Sequence, residues 1–243
     1  MPDTPEPFLS IVIPAYNEEP NIASTLEDIA TYLEEKTYSC EVIVVDDGSS
    51  DKTAEIALAT GKLFDDFTLL RNPRNIGKGD TVKRGVLESK GDYVLFMDAD
   101  NATRISHLDE FLSAARNGYD VVIGSRKLKN SQVKRKQPFI RRALGEAYIM
   151  LSGIILGTRV KDYNCGFKLF RQDAARKLFS RLARHDWSFD SELIFLAGKF
   201  ALMIKELPVT WEDRKTTSKV RPLRDGLNSF FSLLAIRKNF RQS

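Results

Sequence analysis

Short apolar runs alternate with amphipathic stretches along the first half of the chain. Five runs are rich in β-branched and aromatic residues and therefore predict strands. They are FLSIVIPA, EVIVVDDGS, FTLLRN, DYVLFMDAD and YDVVIGSR. The stretch NEEPNIASTLEDIATYLEEK follows the first run, and its residues Ile22, Leu26 and Ile29 recur on one helical face. Strands that alternate with helices predict an α/β protein with a mainly parallel sheet and right-handed crossovers.

Three further helices are predicted between these strands, in DKTAEIALAT, GKGDTVKRGVLESK and SHLDEFLSAARNG. Ser50 or Asp51 is suited to cap the first of them, and Gly118 is suited to close the last. The glycines of GKG mark the entry to the middle helix.

The second half of the chain is less regular. Residues 138–156, 172–184 and 190–199 predict helices, and CGFKLF and ALMIKELPV predict strands. We expect one domain over residues 1–243, with a soft division into a half at about 8–126 and a half at about 127–243.

Composition narrows the class of protein. Of the 243 residues, 42% are hydrophobic, the formal net charge is +4, and the pI is near 9.0. Only Cys40 and Cys165 occur, which form neither a disulfide framework nor a zinc site and favour a reducing compartment. The first residues, MPDTPEPFLS, do not resemble a signal peptide, and no apolar run reaches the length of a membrane span.

Basic residues are concentrated in SRKLKNSQVKRKQPFIRR, residues 125–142, which contains no acid. Because aromatic residues are scarce there, we expect no nucleic-acid binding; anionic lipid headgroups or phosphates fit better. The apolar stretch AYIMLSGIILG at 147–157 is compatible with a buried helix or with attachment to a membrane surface.

Acidic residues end two of the predicted strands: Asp46 and Asp47 end the second, and Asp98 and Asp100 end the fourth. Ligands of open parallel sheets bind beyond the carboxyl ends of strands. If the extended backbone persists through Ala99, Asp98 and Asp100 point the same way, and a divalent cation relieves their repulsion. Mg²⁺ or Mn²⁺ fits two carboxylates completed by water and phosphate. The alternative is that these acids only cap a loop.

Other common sites are not indicated. The turn after the first strand, PAYNEEPN, has no glycine, so the dinucleotide-binding pattern is missing. His107 and His185 stand in no triad context, which argues against histidine base catalysis.

Eight segments together resemble a known family. SIVIPAYNEE, VIVVDDGSSDKT, NIGKG and DYVLFMDAD resemble family-2 glycosyltransferases of the GT-A fold. VIGSR, DYNCGFKLF, WSFDSELIFLA and KELPVTW resemble the branch that makes polyprenyl-phosphate hexoses, and DADNATRIS looks more like the glucose than the mannose enzymes. The resemblance implies a Rossmann-like nucleotide-binding half and a mixed acceptor-binding half.

The implied activity is inverting transfer of a hexose from a nucleotide sugar to a polyprenyl or dolichyl phosphate. UDP-glucose is the favoured donor and GDP-mannose the second. A family-2 transferase with a soluble sugar or protein-bound glycan as acceptor is an alternative, as is a binding protein without turnover.

The resemblance also implies roles for individual residues. Asp98 and Asp100 would hold Mg²⁺ or Mn²⁺, while Asn101 and Ala102 stand where the mannose enzymes place a further glutamine ligand, so no third ligand is assigned. The nucleotide-sugar pocket would be lined by Pro14, Tyr16, Glu18, Asp46, Asp47, Lys78, Asp98, Ala99 and Asp100.

The acceptor phosphate would be received by four cationic residues: Arg126, Arg141, Arg142 and Lys219. A phosphate monoester is already anionic near neutral pH and needs little help from a general base. Asp162, or Asp190 and Glu192, are candidates if a base is needed, although a structural or sugar-positioning role is favoured. We expect Trp187 and Trp211 to pack in the core rather than stack on a ligand.

We expect the protein to lie in the cytoplasm, peripheral to a membrane on its cytosolic face. A membrane-anchoring partner is compatible with this location.

Overall fold

The computed structural model describes residues 6–134, 139–212, 231–238 and 240. Its strands form a seven-stranded sheet and a two-stranded sheet. The strands are β1 (Leu9–Ala15), β2 (Cys40–Asp46), β3 (Phe67–Arg71), β4 (Tyr93–Met97), β5 (Val121–Ser125), β6 (Gln132–Val133), β7 (Phe167–Arg171), β8 (Ile204–Pro208) and β9 (Thr210–Trp211).

The helices lie close to the predicted positions. They are α1 (Ile22–Glu34), α2 (Thr53–Thr60), α3 (Lys78–Glu88), α4 (Leu108–Arg116), α5 (Phe139–Leu156), α6 (Gln172–Arg181) and α7 (Phe189–Lys199). Residues 231–238 are also helical. The N-cap of α2 is Lys52 rather than Asp51 or Ser50, but the Asp51 carboxylate still accepts the Thr53 N–H at 3.0 Å.

The large sheet has the order β3-β2-β1-β4-β7-β5-β8. All neighbouring strands are parallel except β7, which runs antiparallel to both β4 and β5. The predicted mainly parallel sheet is therefore confirmed. The insertion of β7 between β4 and β5 brings the segment before β7 between the ends of these two strands.

Two apolar layers cover the two faces of the sheet, because side chains alternate along each strand. In β1, Ile11 and Ile13 belong to one cluster and Val12 to the other. Helices α1 and α4 pack on the first face, and α3, α6 and α7 pack on the second. Burial on both faces explains why β1 reads as a continuous apolar run.

A smaller cluster joins α5, α7 and the helix at 231–238 through Leu156, Phe195, Leu233 and Ile236. Among the described residues, none of the helices combines the length and apolar character needed to cross a bilayer.

Strand β4 is shorter than predicted. It ends at Met97, and residues 99–100 form a turn, after which Asn101 adopts a left-handed backbone with φ 49°. The extended backbone therefore does not persist through Ala99, and Asp98 and Asp100 are not related by strand alternation. Loop geometry determines where each carboxylate points.

Candidate functional site

The site is built on the carboxyl ends of β1, β2 and β4. These strands are adjacent and parallel, and Ala15 at the end of β1 lies opposite Asp46 at the end of β2. The loop before α3 reaches the same edge, as do the residues before β7. The topology thus brings together segments that are distant in sequence.

Asp98 lies where these segments meet. Its Oδ1 is 2.6 Å from Nζ of Lys78, and its backbone N–H donates to the carbonyl of Gly166 at 3.0 Å. A Cβ atom at Gly166 would lie only 2.0 Å from Oδ2 of Asp98. Glycine at position 166 therefore leaves the space that the Asp98 carboxylate needs.

The turn that carries Asp100 is tied to helix α1. The Thr25 hydroxyl donates to the carbonyl of Ala99 at 2.8 Å, and the Asn101 side-chain amide donates to Asp28. Asp100 itself is buried, and its Oδ1 accepts the Ala102 N–H at 3.1 Å. Helix α1 thus holds the turn in place.

Asp46 is fully buried. It accepts the Ser49 N–H at 3.1 Å and pairs with Nε of Arg71 at 3.0 Å. A cleft of about 370 Å³ lies beside this pair, lined by Gly48, Ser49, Arg71, Asn72 and Pro73.

The Asp47 carboxylate holds the loop that leads into α3. It accepts the Asn72 side-chain amide and the Ile76 N–H, each at 2.9 Å, and the Gly77 N–H at 3.1 Å. Asp47 therefore positions the backbone next to Lys78.

The remaining predicted pocket residues follow or end β1. Pro14 is buried opposite Val45, while Tyr16 is partly exposed. Glu18 accepts the Asn21 side-chain amide at 2.8 Å. The structure thus brings these residues to the same strand end as Asp46.

Two aromatic rings flank Lys78. Its Nζ lies 5.3 Å from the centre of the Phe96 ring and 4.9 Å from that of Trp187. Trp187 is 58% exposed, so the prediction that it packs in the core is wrong. It lies in the segment before α7, where its ring contacts the Lys78 ammonium.

Arg126 forms a two-pronged ion pair with Asp162. Its Nε and Nη2 donate to Oδ2 and Oδ1 of Asp162 at 2.7 and 2.8 Å. Burial alone would raise the pKa of Asp162, but the Arg126 hydrogen bonds and charge lower it below its ordinary value. The guanidinium also lies 5.5 Å from the Trp211 ring.

Sequence reasoning missed a buried ion pair between Lys168 of β7 and Asp190 of α7. Their charged atoms are 2.5 Å apart, and the side chains are 1% and 2% exposed. Burial raises the pKa of Asp190 above its ordinary value, although Lys168 opposes the shift. The sequence signal for this ion pair is the position of Lys168 between phenylalanine and leucine in a predicted strand.

Glu192 also has a structural role. Its Oε2 accepts the N–H groups of Ala183 and Arg184 at 3.0 and 2.7 Å. Burial raises its pKa, and these backbone bonds counteract the rise.

Part of the predicted acceptor site lies outside the described residues. Lys219 does, and so do the side chains of Arg141 and Arg142, whose backbone belongs to α5. Arg126 is the predicted phosphate-binding residue whose contacts the structure describes.

The carboxylates of Asp98 and Asp100 are suitable ligands for a cation that prefers oxygen atoms. No group of three or more His, Cys, Asp and Glu side chains in the described part of the chain could hold a metal ion. Asp98 and Asp100 nevertheless supply carboxylate oxygens, and the gap at Gly166 gives Asp98 room. Mg²⁺ and Mn²⁺ are commonly bound by one or two carboxylates with substrate phosphates, so these residues fit such an ion.

Comparison with known proteins identifies the family. The profile described as glycosyl transferase family 2 matches residues 10–179. The chain belongs to glycosyl transferase family 2. It is thus a glycosyltransferase, as the resemblance implied, and the candidate site described above lies largely within the matched region.

Relatives within the family share most of the chain. A dolichyl-phosphate beta-glucosyltransferase of Trichomonas vaginalis is 36% identical over 224 residues, covering 87% of this chain and 68% of that protein. Proteins of the same name from Dictyostelium discoideum and Homo sapiens are 34% and 31% identical, covering 95% and 98% of this chain and 74% and 77% of the relatives.

Solved structures of low sequence identity share the fold. Mannosyl-3-phosphoglycerate synthase from Rubrobacter xylanophilus matches with a TM-score of 0.70 at 18% identity, covering 97% of this chain and 75% of that chain. Glucosyl-3-phosphoglycerate synthase from Mycobacterium tuberculosis, crystallised with Mn²⁺ and uridine diphosphate, matches with a TM-score of 0.65 at 20% identity, covering 95% and 78%. The predicted GT-A fold is confirmed.

Proposed function

We propose that this family-2 enzyme transfers glucose from UDP-glucose to dolichyl phosphate or a related polyprenyl phosphate, with inversion at the anomeric carbon. The relatives that cover most of the chain carry the name of this activity. One structural observation supports it: a short loop before β7 contacts both a candidate donor residue and a candidate acceptor residue.

In that loop, Gly166 contacts Asp98, and Asp162 pairs with Arg126. Asp98 follows β4 and Arg126 follows β5, and β7 separates these two strands. An acid suited to the donor's cation and a guanidinium suited to a phosphate therefore flank one loop. This arrangement fits two phosphorylated substrates that approach each other.

The chain's residues would act mainly through positioning and charge. Arg126 would receive the acceptor phosphate through the N–H groups that its pair with Asp162 does not use, and Asp162 would hold the guanidinium in place. An oxygen of this anionic phosphate attacks the anomeric carbon in line, and the bond to the nucleoside diphosphate breaks. Both Asp162 and Asp190 have cationic partners, which favours positioning roles for them over general-base roles.

Asp98 and Asp100 would hold Mg²⁺ or Mn²⁺, which when bound neutralises charge on the leaving diphosphate. Pro14, Tyr16, Glu18, Asp46, Asp47, Lys78 and Ala99 would form the remainder of the nucleotide-sugar site. Arg141, Arg142 and Lys219 would add to acceptor binding. We further propose peripheral attachment to the cytosolic face of a membrane, directly or through an anchoring partner.

The test supplies the purified chain with radiolabelled UDP-glucose, GDP-mannose or UDP-N-acetylglucosamine in turn. Polyprenyl phosphate and 3-phosphoglycerate serve as alternative acceptors, with Mg²⁺, Mn²⁺ or EDTA. We expect metal-dependent, organic-extractable label from UDP-glucose, reduced about 100-fold or more by Asp98→Asn. If only GDP-mannose gives labelled product, the proposal that UDP-glucose is the donor is wrong. If the labelled product is only water-soluble, the proposal that the acceptor is a lipid phosphate is wrong. Transfer that persists in the presence of EDTA would contradict the proposed dependence on a divalent metal ion.

A further inference from the structure

We propose that Lys78 is a resident counter-ion of Asp98, which exchanges this lysine for the donor's divalent cation when the nucleotide sugar binds. The inference rests on the proposed function and adds a binding step to it. Its consequence is that the cation alone binds weakly, while cation and nucleotide bind well together.

The first support is the contact itself. Nζ of Lys78 lies 2.6 Å from Oδ1 of Asp98, so the ammonium stands beside an oxygen that a metal ion would need. Both side chains are largely shielded from water, with side-chain exposures of 16% and 30%. Two positive ions at one carboxylate oxygen in such a setting repel each other strongly, so the ammonium has to leave that oxygen.

The second support is a place for the displaced ammonium. Lys78 lies between the rings of Phe96 and Trp187, at 5.3 and 4.9 Å from their centres. Ring faces attract a cation independently of Asp98. The Lys78 side chain can therefore swing away from the carboxylate toward an incoming diphosphate without losing all of its favourable contacts.

The third support is that the backbone at Lys78 is held. Asp47 accepts the N–H of Gly77, and the Gly79 N–H donates to the carbonyl of His185 at 2.9 Å. With both neighbouring residues fixed, the exchange requires only side-chain rotation. The ammonium stays within reach of the same edge of the sheet throughout.

The fourth support is the charge of the surroundings. Three acids near Lys78 pair with three cations: Asp98 with Lys78, Asp162 with Arg126 and Asp190 with Lys168. The charge of Asp98 acts on both Arg126 and Asp190, so the three ion pairs form one electrostatic unit. A lone dication would leave this unit positive, whereas a dication with a diphosphate would not.

The test measures Mn²⁺ binding by the electron paramagnetic resonance of free Mn²⁺, with and without saturating UDP. Variants are Lys78→Met, Lys78→Arg and Lys83→Met. Lys83 is the matched control, since it lies on the same helix but donates to the carbonyl of Leu182 at 2.7 Å. A thermal melt of each variant confirms folding.

In the wild type we expect weak binding of Mn²⁺ alone and tighter binding with UDP. In Lys78→Met, binding of Mn²⁺ alone should tighten about tenfold, and the gain from UDP should shrink, because a competing positive charge is gone. Lys78→Arg and Lys83→Met should behave like the wild type.

Unchanged or weaker binding of Mn²⁺ alone to folded Lys78→Met would overturn the exchange and make Lys78 a simple support for Asp98. If Lys83→Met tightens Mn²⁺ binding as much as Lys78→Met does, the change reflects only the net charge of the protein. That result would also overturn the proposed exchange. If the wild type binds no Mn²⁺ with or without UDP, the metal part of the proposed function fails, and the exchange fails with it.

Discussion

At the scale of single residues, each of three carboxylates of the site has its own cationic partner. Asp98 pairs with Lys78, Asp162 with Arg126 and Asp190 with Lys168. The pairs differ in burial, and therefore the decrease in the free energy of unfolding on breaking each pair should also differ. A buried charge that loses its partner is costly, whereas an exposed pair contributes little.

The first prediction concerns Asp162→Asn. The change leaves the Arg126 guanidinium without its carboxylate, and we expect the free energy of unfolding at pH 7 to fall by about 3 kcal/mol. Denaturant melts measure the loss. The matched control is Asp109→Asn, which breaks the more exposed Lys36–Asp109 pair and should cost less than about 1 kcal/mol. Equal losses in the two variants would contradict the prediction.

The effect of Asp162→Asn should depend on pH. Because the folded protein holds the pKa of Asp162 below its unfolded value of about 3.9, this carboxylate stabilises the fold above that pH. The contribution is lost as the pH falls through the lower folded pKa. The difference between wild type and variant should therefore shrink below about pH 4. A constant difference in melts from pH 7 to pH 3 would show that charge is not its source.

At the scale of elements, the loop into α3 depends on the segment before α7. The Glu192 carboxylate of α7 binds the N–H groups of Ala183 and Arg184. Their segment packs so closely on α3 that a Cβ at Gly79 would lie 2.4 Å from the carbonyl oxygen of Arg184. Glycine at this position thus permits the contact that fixes the loop beside Lys78.

The second prediction is that Gly79→Ala lowers the free energy of unfolding by about 2 kcal/mol, because backbone atoms must move apart. It should also weaken UDP binding, measured by calorimetry. Gly198→Ala in α7 is the matched control: its Cβ meets nothing within 4 Å, so we expect a gain of about 0.5–1 kcal/mol. A gain in Gly79→Ala as well would contradict the close contact.

At the scale of the whole molecule, α5 and the helix at 231–238 share an apolar cluster, and α5 also presents apolar side chains outward. Met150 and Ile154, one helical turn apart, are 61% and 69% exposed. The basic segment 125–142 leads into the same helix. This combination suits the proposed contact with an anionic membrane surface.

The third prediction is that Met150→Ser with Ile154→Ser reduces sedimentation with anionic vesicles at least tenfold, since each apolar side chain buried in lipid contributes roughly 1.5–3 kcal/mol. Leu58→Ser with Leu63→Ser is the control, because those side chains are 59% and 56% exposed but lie at α2 and just beyond it. Equal losses in both double variants, or none in the first, would contradict a role for α5.

The sequence by itself determined the strands of the large sheet, the helices that cover it, the mainly parallel strand direction and the family. These follow from local patterns: apolar runs such as FLSIVIPA become strands because their own side chains require burial on both faces. The acids Asp46, Asp47, Asp98 and Asp100 could also be placed at strand ends, because ligands of parallel sheets bind at that edge.

Only the tertiary structure decided which of these groups meet. The insertion of β7 between β4 and β5 pairs Arg126 with Asp162 and places Gly166 against Asp98. The Lys168–Asp190 pair and the exposure of Trp187 also depend on strand order and on how α7 packs. Such contacts join residues far apart in the chain, and hydrophobic periodicity describes only which side of an element is buried, not which element covers it.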